Sequence, residues 1–237
     1  MTISTLYPSP SIIKVIAFDA DDTLWDCQGH FERVMQQLYD ELLPWTDREQ
    51  AATELFATER KNMPLLGFGT KAFTLSLIET AMRVSNYEMS AERIDHLLRL
   101  GYSLLEFPTT PLPEVLETLI ALQRQGRRMV LFTKGELLDQ QSKLERSGLA
   151  GFFEHVEITS DKGEKEFLDL CRHLQVKPHE MMMVGNSLKS DVAPALAIGC
   201  WAVHIPFHVT WELEHTDAFD HERLFHIERF GELLNIL

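Results

Sequence analysis

The chain has 237 residues, 45% of them hydrophobic and 24% charged, which allows one large core or a core with an insertion and argues against disorder. Its 22 basic and 36 acidic residues leave a net charge of −14, which argues against nucleic acid and anionic membrane as partners and requires any phosphate site to be locally basic. Three scattered cysteines (Cys27, Cys171, Cys200), no bilayer-length apolar run and no basic leader before the first strand point to a soluble cytoplasmic protein with no signal peptide, disulfide framework or zinc site.

The first apolar run, Ile12 to Phe18, is predicted to be a strand, and it ends in three acids within four residues, Asp19, Asp21 and Asp22. Packed carboxylates repel one another and burial raises their pKa, while a hard divalent cation such as Mg²⁺ relieves both costs.

From about Gly29 to Leu105 the pattern is helical. Phe31, Val34, Met35, Leu38, Leu42 and Leu43 fall near one stripe, and Ile78, Met82, Ile94, Leu97, Leu98 and Tyr102 continue it in later segments. Breaks are predicted at Pro44 to Asp47, at Asn62-Met63-Pro64, around Gly67-Phe68-Gly69 and near Ser85 to Ser90, giving roughly four helices with no strand between them.

Strand and helix alternate after Pro108. Helices are predicted over Pro113–Gln125, Leu137–Ser147, Lys162–Leu174 and Ala193–Ile198, the third with Asp161 as N-cap and Glu164 completing a capping box. Strands are predicted over Arg128–Phe132, His155–Thr159, Met181–Val184 and Trp201–Ile205. His208 to His221 reads as irregular, followed by a last strand near Leu224–Ile227 and a helix over Phe230–Leu237. Such repetition implies an α/β fold, a doubly wound, Rossmann-like parallel sheet with ligands at the carboxyl ends of its strands. The expected organisation is a core of 1–25 and 108–237, with an all-helical cap of 26–107 inserted behind the first strand end, where it covers the site.

Val15 to Trp25, Val-Ile-Ala-Phe-Asp-Ala-Asp-Asp-Thr-Leu-Trp, resembles the Asp-x-Asp-x-Thr nucleophile motif of the haloacid dehalogenase superfamily, whose members are mostly Mg²⁺-dependent phosphatases working through an aspartyl-phosphate. The resemblance implies that Asp19 is the nucleophile and Asp21 the acid that protonates the leaving oxygen and then activates water. Thr133, in Phe-Thr-Lys-Gly, matches the second motif, whose hydroxyl binds the phosphoryl group, with Lys134 and Gly135 beside it as substrate-binding positions. The third motif is a lysine that neutralises phosphoryl charge; Lys162 and Lys165 are both candidates, and Lys162 is favoured as the nearer to the strand end. Met181 to Asp191 resembles the fourth motif, Gly-Asp-Ser and a later Asp, but carries Asn186 where a metal-ligating acid is usual. The resemblance therefore implies Mg²⁺ held by Asp19, Asp21, Asn186 and Asp191.

Within the helical block, Gly67 and Gly69, flanked by Lys61 and Lys71, form a loop expected to dip into the site and read the substrate. His204, His208 and His215 fit no zinc pattern, and Met181 to Met183 read as a core strand. The expected activity is hydrolysis of a small cytosolic phosphomonoester. A phosphomutase, a phosphonate hydrolase using Lys61 or Lys71, and a non-catalytic phosphate sensor suggested by Asn186 are the alternatives. Nucleotides, sugar phosphates and phosphoglycolate all fit a cap of this size.

Overall fold

The computed structural model describes residues 12–209 and 211–237; the N-terminal stretch on which the expected absence of a signal peptide rests lies outside them. Six strands form one sheet: β1 (Val15–Phe18), β2 (Arg128–Lys134), β3 (His155–Thr159), β4 (Met181–Gly185), β5 (Trp201–His204) and β6 (Leu224–His226). Their order is β3-β2-β1-β4-β5-β6 and every neighbouring pair is parallel. Chain order reverses direction at β1, so its carboxyl end opens on the crevice where such sheets bind ligands.

Period-two alternation sorts the central strands into two cores. Ile16, Phe18, Met129, Leu131, Met182 and Val184 face one side, which α5 (Val115–Arg124) covers with Val115, Leu119 and Leu122. Val15, Ala17, Val130, Phe132, Met181 and Met183 face the other, covered by α7 (Glu164–Leu174) through Phe167, Leu170 and Cys171. The methionine run is thus a fully buried strand. Each buried Leu, Phe or Met side chain contributes about 1.5–3 kcal/mol of apolar burial.

Between β1 and α5 lie α1 (Gln28–Leu42), α2 (Arg48–Leu66), α3 (Thr70–Val84) and α4 (Ala91–Ser103), which bury a core of their own around Val34, Leu38, Leu42, Leu55, Leu77 and Leu97. The α1 stripe matches its spacing except for Leu43, which is 53% exposed beyond the last turn. In α3 the buried face runs through Thr70, Phe73, Thr74, Leu77 and Ala81, leaving Met82 exposed, as is Tyr102 in α4. Hydroxyl side chains made that face look polar. Thr74 Oγ1 donates to the Thr70 carbonyl at 2.7 Å, which satisfies it in place, and Gly101 of α4 packs so close that a Cβ there would lie 2.3 Å from Thr74.

Three boundaries differ from expectation. α2 runs through Asn62-Met63-Pro64 and stops only at Gly67, with φ +72°, carrying Pro64 in its last turn at the loss of one helix hydrogen bond. α7 begins after Gly163 rather than Asp161, and Glu166 accepts from the Gly163 N–H at 3.1 Å. The terminal segment Phe230–Asn235 is a 3₁₀ helix packed on α5. Among the described residues no helix is long and apolar enough to cross a membrane.

Candidate active site

The sheet brings together what the sequence scatters. β1 lies between β2 and β4, so Asp19, Thr133 and Asn186 emerge side by side from three adjacent strand ends. Lys162 arrives from the loop after β3. Because α7 starts two residues later, Lys162 stays outside the helix and its chain is free to reach inward. Its ammonium sits 2.5 Å from Asp19 Oδ1 and 2.7 Å from Asp191 Oδ1, with all three side chains buried. Lys165, the other candidate, is exposed on the helix surface against Glu166 and Asp169.

Burial, reinforced by Asp191, pushes Asp19 up to about 7 against the pull of Lys162. Burial also disfavours a charged Lys162, but Asp19 and Asp191 outweigh it and hold its pKa above the ordinary lysine value. Thr23 ties the strand ends together: its hydroxyl lies 3.2 Å from both Asp19 Oδ2 and Asn186 Oδ1, and it accepts from the Asn186 N–H at 3.0 Å. Asp191 receives the Ser187 N–H at 3.0 Å, and a Cβ on Gly185 would fall 2.3 Å from its carboxylate, so no larger residue fits there.

Asp21 points to the other side of the crevice. Trp25 Nε1 donates to it at 2.8 Å, Gln140 Nε2 at 2.9 Å and Lys143 Nζ at 3.0 Å. Burial would raise its pKa, but the Lys143 ammonium and these hydrogen bonds outweigh burial and hold it below the usual carboxylate range. Gln140 also donates to Thr133 Oγ1 at 3.0 Å and to the Lys134 carbonyl at 2.9 Å, joining the first two strand ends. Asp22 adopts a left-handed backbone, φ +62°, and its carboxylate accepts from the Cys27 and Gln28 N–H groups at the start of α1.

Gln140 and Lys143, both in α6 (Leu137–Ser147), belong to the candidate site and were missed by the sequence reading. A signal existed: with Leu144 and Ser147 they form the buried face of that helix, where a lysine needs a partner. Glu214 was missed too, inside a stretch read as irregular. It takes Lys134 at 2.5 Å and Ser187 at 2.7 Å, and although burial would raise its pKa, Lys134 holds it low.

A cavity of about 190 Å³ lies above these groups, lined by the strand ends below and the helical block above. Gly67, Gly69, Lys134 and Gly135 line it; Lys61 and Lys71 do not. Lys61 pairs with Glu79 at 2.7 Å and Lys71 with Glu136 at 2.6 Å, because each finds an acid on a neighbouring surface. Although Gly135 lines the cavity, its own N–H is taken by the Thr159 carbonyl at 2.9 Å. The glycine loop docks on the sheet side: Thr70 Oγ1 donates to Asp139 at 3.0 Å, Lys134 stands 3.9 Å over the Phe68 ring, and Phe68 meets Trp211 edge to face. No cluster of three His, Cys, Asp or Glu side chains able to hold a metal occurs among the described residues, since Asn186 takes one acidic position.

Comparison with known proteins agrees with this geometry. The chain is 26% identical to a glyceraldehyde 3-phosphate phosphatase of Methanothermobacter thermautotrophicus, over 84% of this chain and 88% of the relative. It is 32% identical to one of Methanocaldococcus jannaschii, over 82% and 85%. A solved haloacid dehalogenase-like family hydrolase from Xanthomonas campestris superimposes with a TM-score of 0.85 at 30% identity, covering 95% of this chain and 92% of that one. Residues 13–199 match the haloacid dehalogenase-like hydrolase model, and with Asp19, Lys162 and Asp191 assembled at the strand ends, the chain belongs to that family as a phosphatase-like hydrolase.

Proposed function

We propose that the protein is a Mg²⁺-dependent phosphomonoesterase of the cytoplasm that acts on a small phosphorylated metabolite through an aspartyl-phosphate on Asp19, beneath a helical cap of residues 26–107. The observation that carries this reading is the buried triad of Asp19, Lys162 and Asp191 at the floor of a cavity roofed by α1, α2 and α3.

The donor set fits a hard divalent cation. Asp19 and Asp191 offer carboxylates, Asn186 an amide oxygen and Asp21 a backbone carbonyl, all oxygen ligands, and burial beside Asp191 disfavours the Asp19 charge, a cost that a cation would relieve. When bound, Mg²⁺ would supply positive charge beside the phosphoryl oxygens. One acid fewer than usual predicts weaker metal retention.

The chain's own residues divide the rest of the work. Asp19 attacks phosphorus, forming an O–P bond as the P–O bond to the alcohol breaks. Lys162 and the Thr133 hydroxyl stabilise charge on the transferring group. Asp21 gives the leaving oxygen a proton, then takes one from the water that cleaves the aspartyl-phosphate and releases inorganic phosphate. Three donors on the Asp21 carboxylate suit its second role, as base, better than its first. Glyceraldehyde 3-phosphate is a reasonable first substrate, given the relatives named for it. The test is phosphate release from a panel of phosphomonoesters with Mg²⁺ or with EDTA. Turnover that requires Mg²⁺ supports the reading; phosphate-ligand binding without turnover would favour a sensor instead.

A further inference from the structure

We propose that the cavity selects phosphomonoesters whose alcohol part carries hydroxyl or amine donors and no anion. The inference rests on the phosphomonoesterase reading and names the substrate class of that site. It follows from one unpartnered carboxylate, Glu59, in a cavity wall whose lysines are all paired.

Each lysine that lines the cavity is already committed on the sheet side. Lys162 holds Asp19 and Asp191, Lys143 holds Asp21, and Lys134 holds Glu214 and Ser190. Two amide donors of the helical block are committed as well: Asn62 Nδ2 donates to Ser76 and Glu79, and Gln28 Nε2 to Glu32. No cation of the helical block lines the cavity.

Glu59 is in the opposite condition. On α2, it lines the same cavity with neither hydrogen bond nor ion pair among the described residues. Burial and the nearby Glu32 push it up to about 7. Apolar side chains flank it, with Phe31 and Phe73 packed edge to face at 4.9 Å.

A partly buried acceptor without a donor is costly, and a ligand that supplies the donor recovers that cost. A carboxylate or second phosphate on the alcohol part would meet Glu59 with no uncommitted lysine in the wall to answer it. A hydroxyl or ammonium would satisfy it. Sites built around unpaired polar groups discriminate strongly against ligands lacking the complementary group.

The experiment is a matched pair of substrates, glycerol 3-phosphate and 3-phosphoglycerate, which differ mainly in CH₂OH against carboxylate. With Mg²⁺, kcat/KM is expected to favour glycerol 3-phosphate by about tenfold or more, and Glu59→Gln is expected to narrow the ratio. If both are poor substrates, they are compared as competitive inhibitors of p-nitrophenyl phosphate hydrolysis, with the same order expected. Equal values, or a preference for 3-phosphoglycerate, would overturn the selectivity. A preference in the wild type that Glu59→Gln leaves unchanged would overturn the assignment to Glu59. Failure to hydrolyse any phosphomonoester, p-nitrophenyl phosphate included, would instead overturn the phosphatase reading.

Discussion

The floor and the roof of one cavity are built on opposite electrostatic plans. At the floor, three lysines are matched by acids: Lys162 by two aspartates, Lys143 by Asp21, Lys134 by Glu214. At the roof, α2 and α3 present apolar side chains and Glu59, whose carboxylate has no partner among the described residues. The difference separates two tasks. A reacting centre must hold charges in fixed positions before the substrate arrives, which requires compensation inside the protein. A recognition surface leaves groups uncompensated so that the right ligand completes them.

Substitutions can break this division at either end. Asp19→Asn removes the proposed nucleophile and is expected to lower the rate of phosphate release by at least ~10³-fold while the fold persists, checked by activity beside circular dichroism. Next in size, Lys143→Met leaves Asp21 without its ammonium partner. A fall in kcat of about 10²-fold with a smaller change in KM is expected, and a shift in the pH–rate profile would separate this from simple misfolding. Asn186→Asp restores an acid at the floor and is expected to lower the Mg²⁺ concentration for half-maximal rate by about tenfold, read from a metal titration of activity.

Two changes sharpen the comparison from the roof. Thr70→Val deletes the hydroxyl that reaches Asp139 and should cost about 1–2 kcal/mol of stability, because the Asp139 carboxylate is left buried with one partner fewer. The smallest effect is a pH dependence. Folding raises Glu59 from its ordinary 4.5 to about 7, so the folded chain binds that proton more tightly than the unfolded chain. The contribution to stability is full below about pH 4.5 and is lost as pH rises through about 7. Glu59→Gln should flatten that slope, raising Tm above pH 7 by a few degrees relative to wild type in thermal melts.

The floor was largely legible in the sequence because each element of it follows a strand. Period-two apolar runs locate β1, β2 and β4, and a parallel sheet then forces Asp19, Thr133 and Asn186 to one edge. Lys162 was favoured over Lys165 for the same reason. The roof was not legible. Lys61 and Lys71 flank the right loop, but nothing local says whether a long flexible side chain turns into a cavity or pairs with an acid such as Glu79 or Glu136. Gln140 and Lys143 escaped notice because a helical stripe is read by its apolar members, and their burial depends on Asp21, more than a hundred residues away. Gly135 misled in the same way: its φ of +149° is the freedom expected of glycine, but the strand beside it takes its N–H.

One consequence lies in the turn at Asp22. This residue is covalently next to Asp21, and its carboxylate grips the Cys27 and Gln28 N–H groups where α1 begins. The turn is therefore a splice: a single carboxylate ties the strand end that carries Asp21 to the first turn of α1, so loss of the Asp22 side chain would loosen both at once.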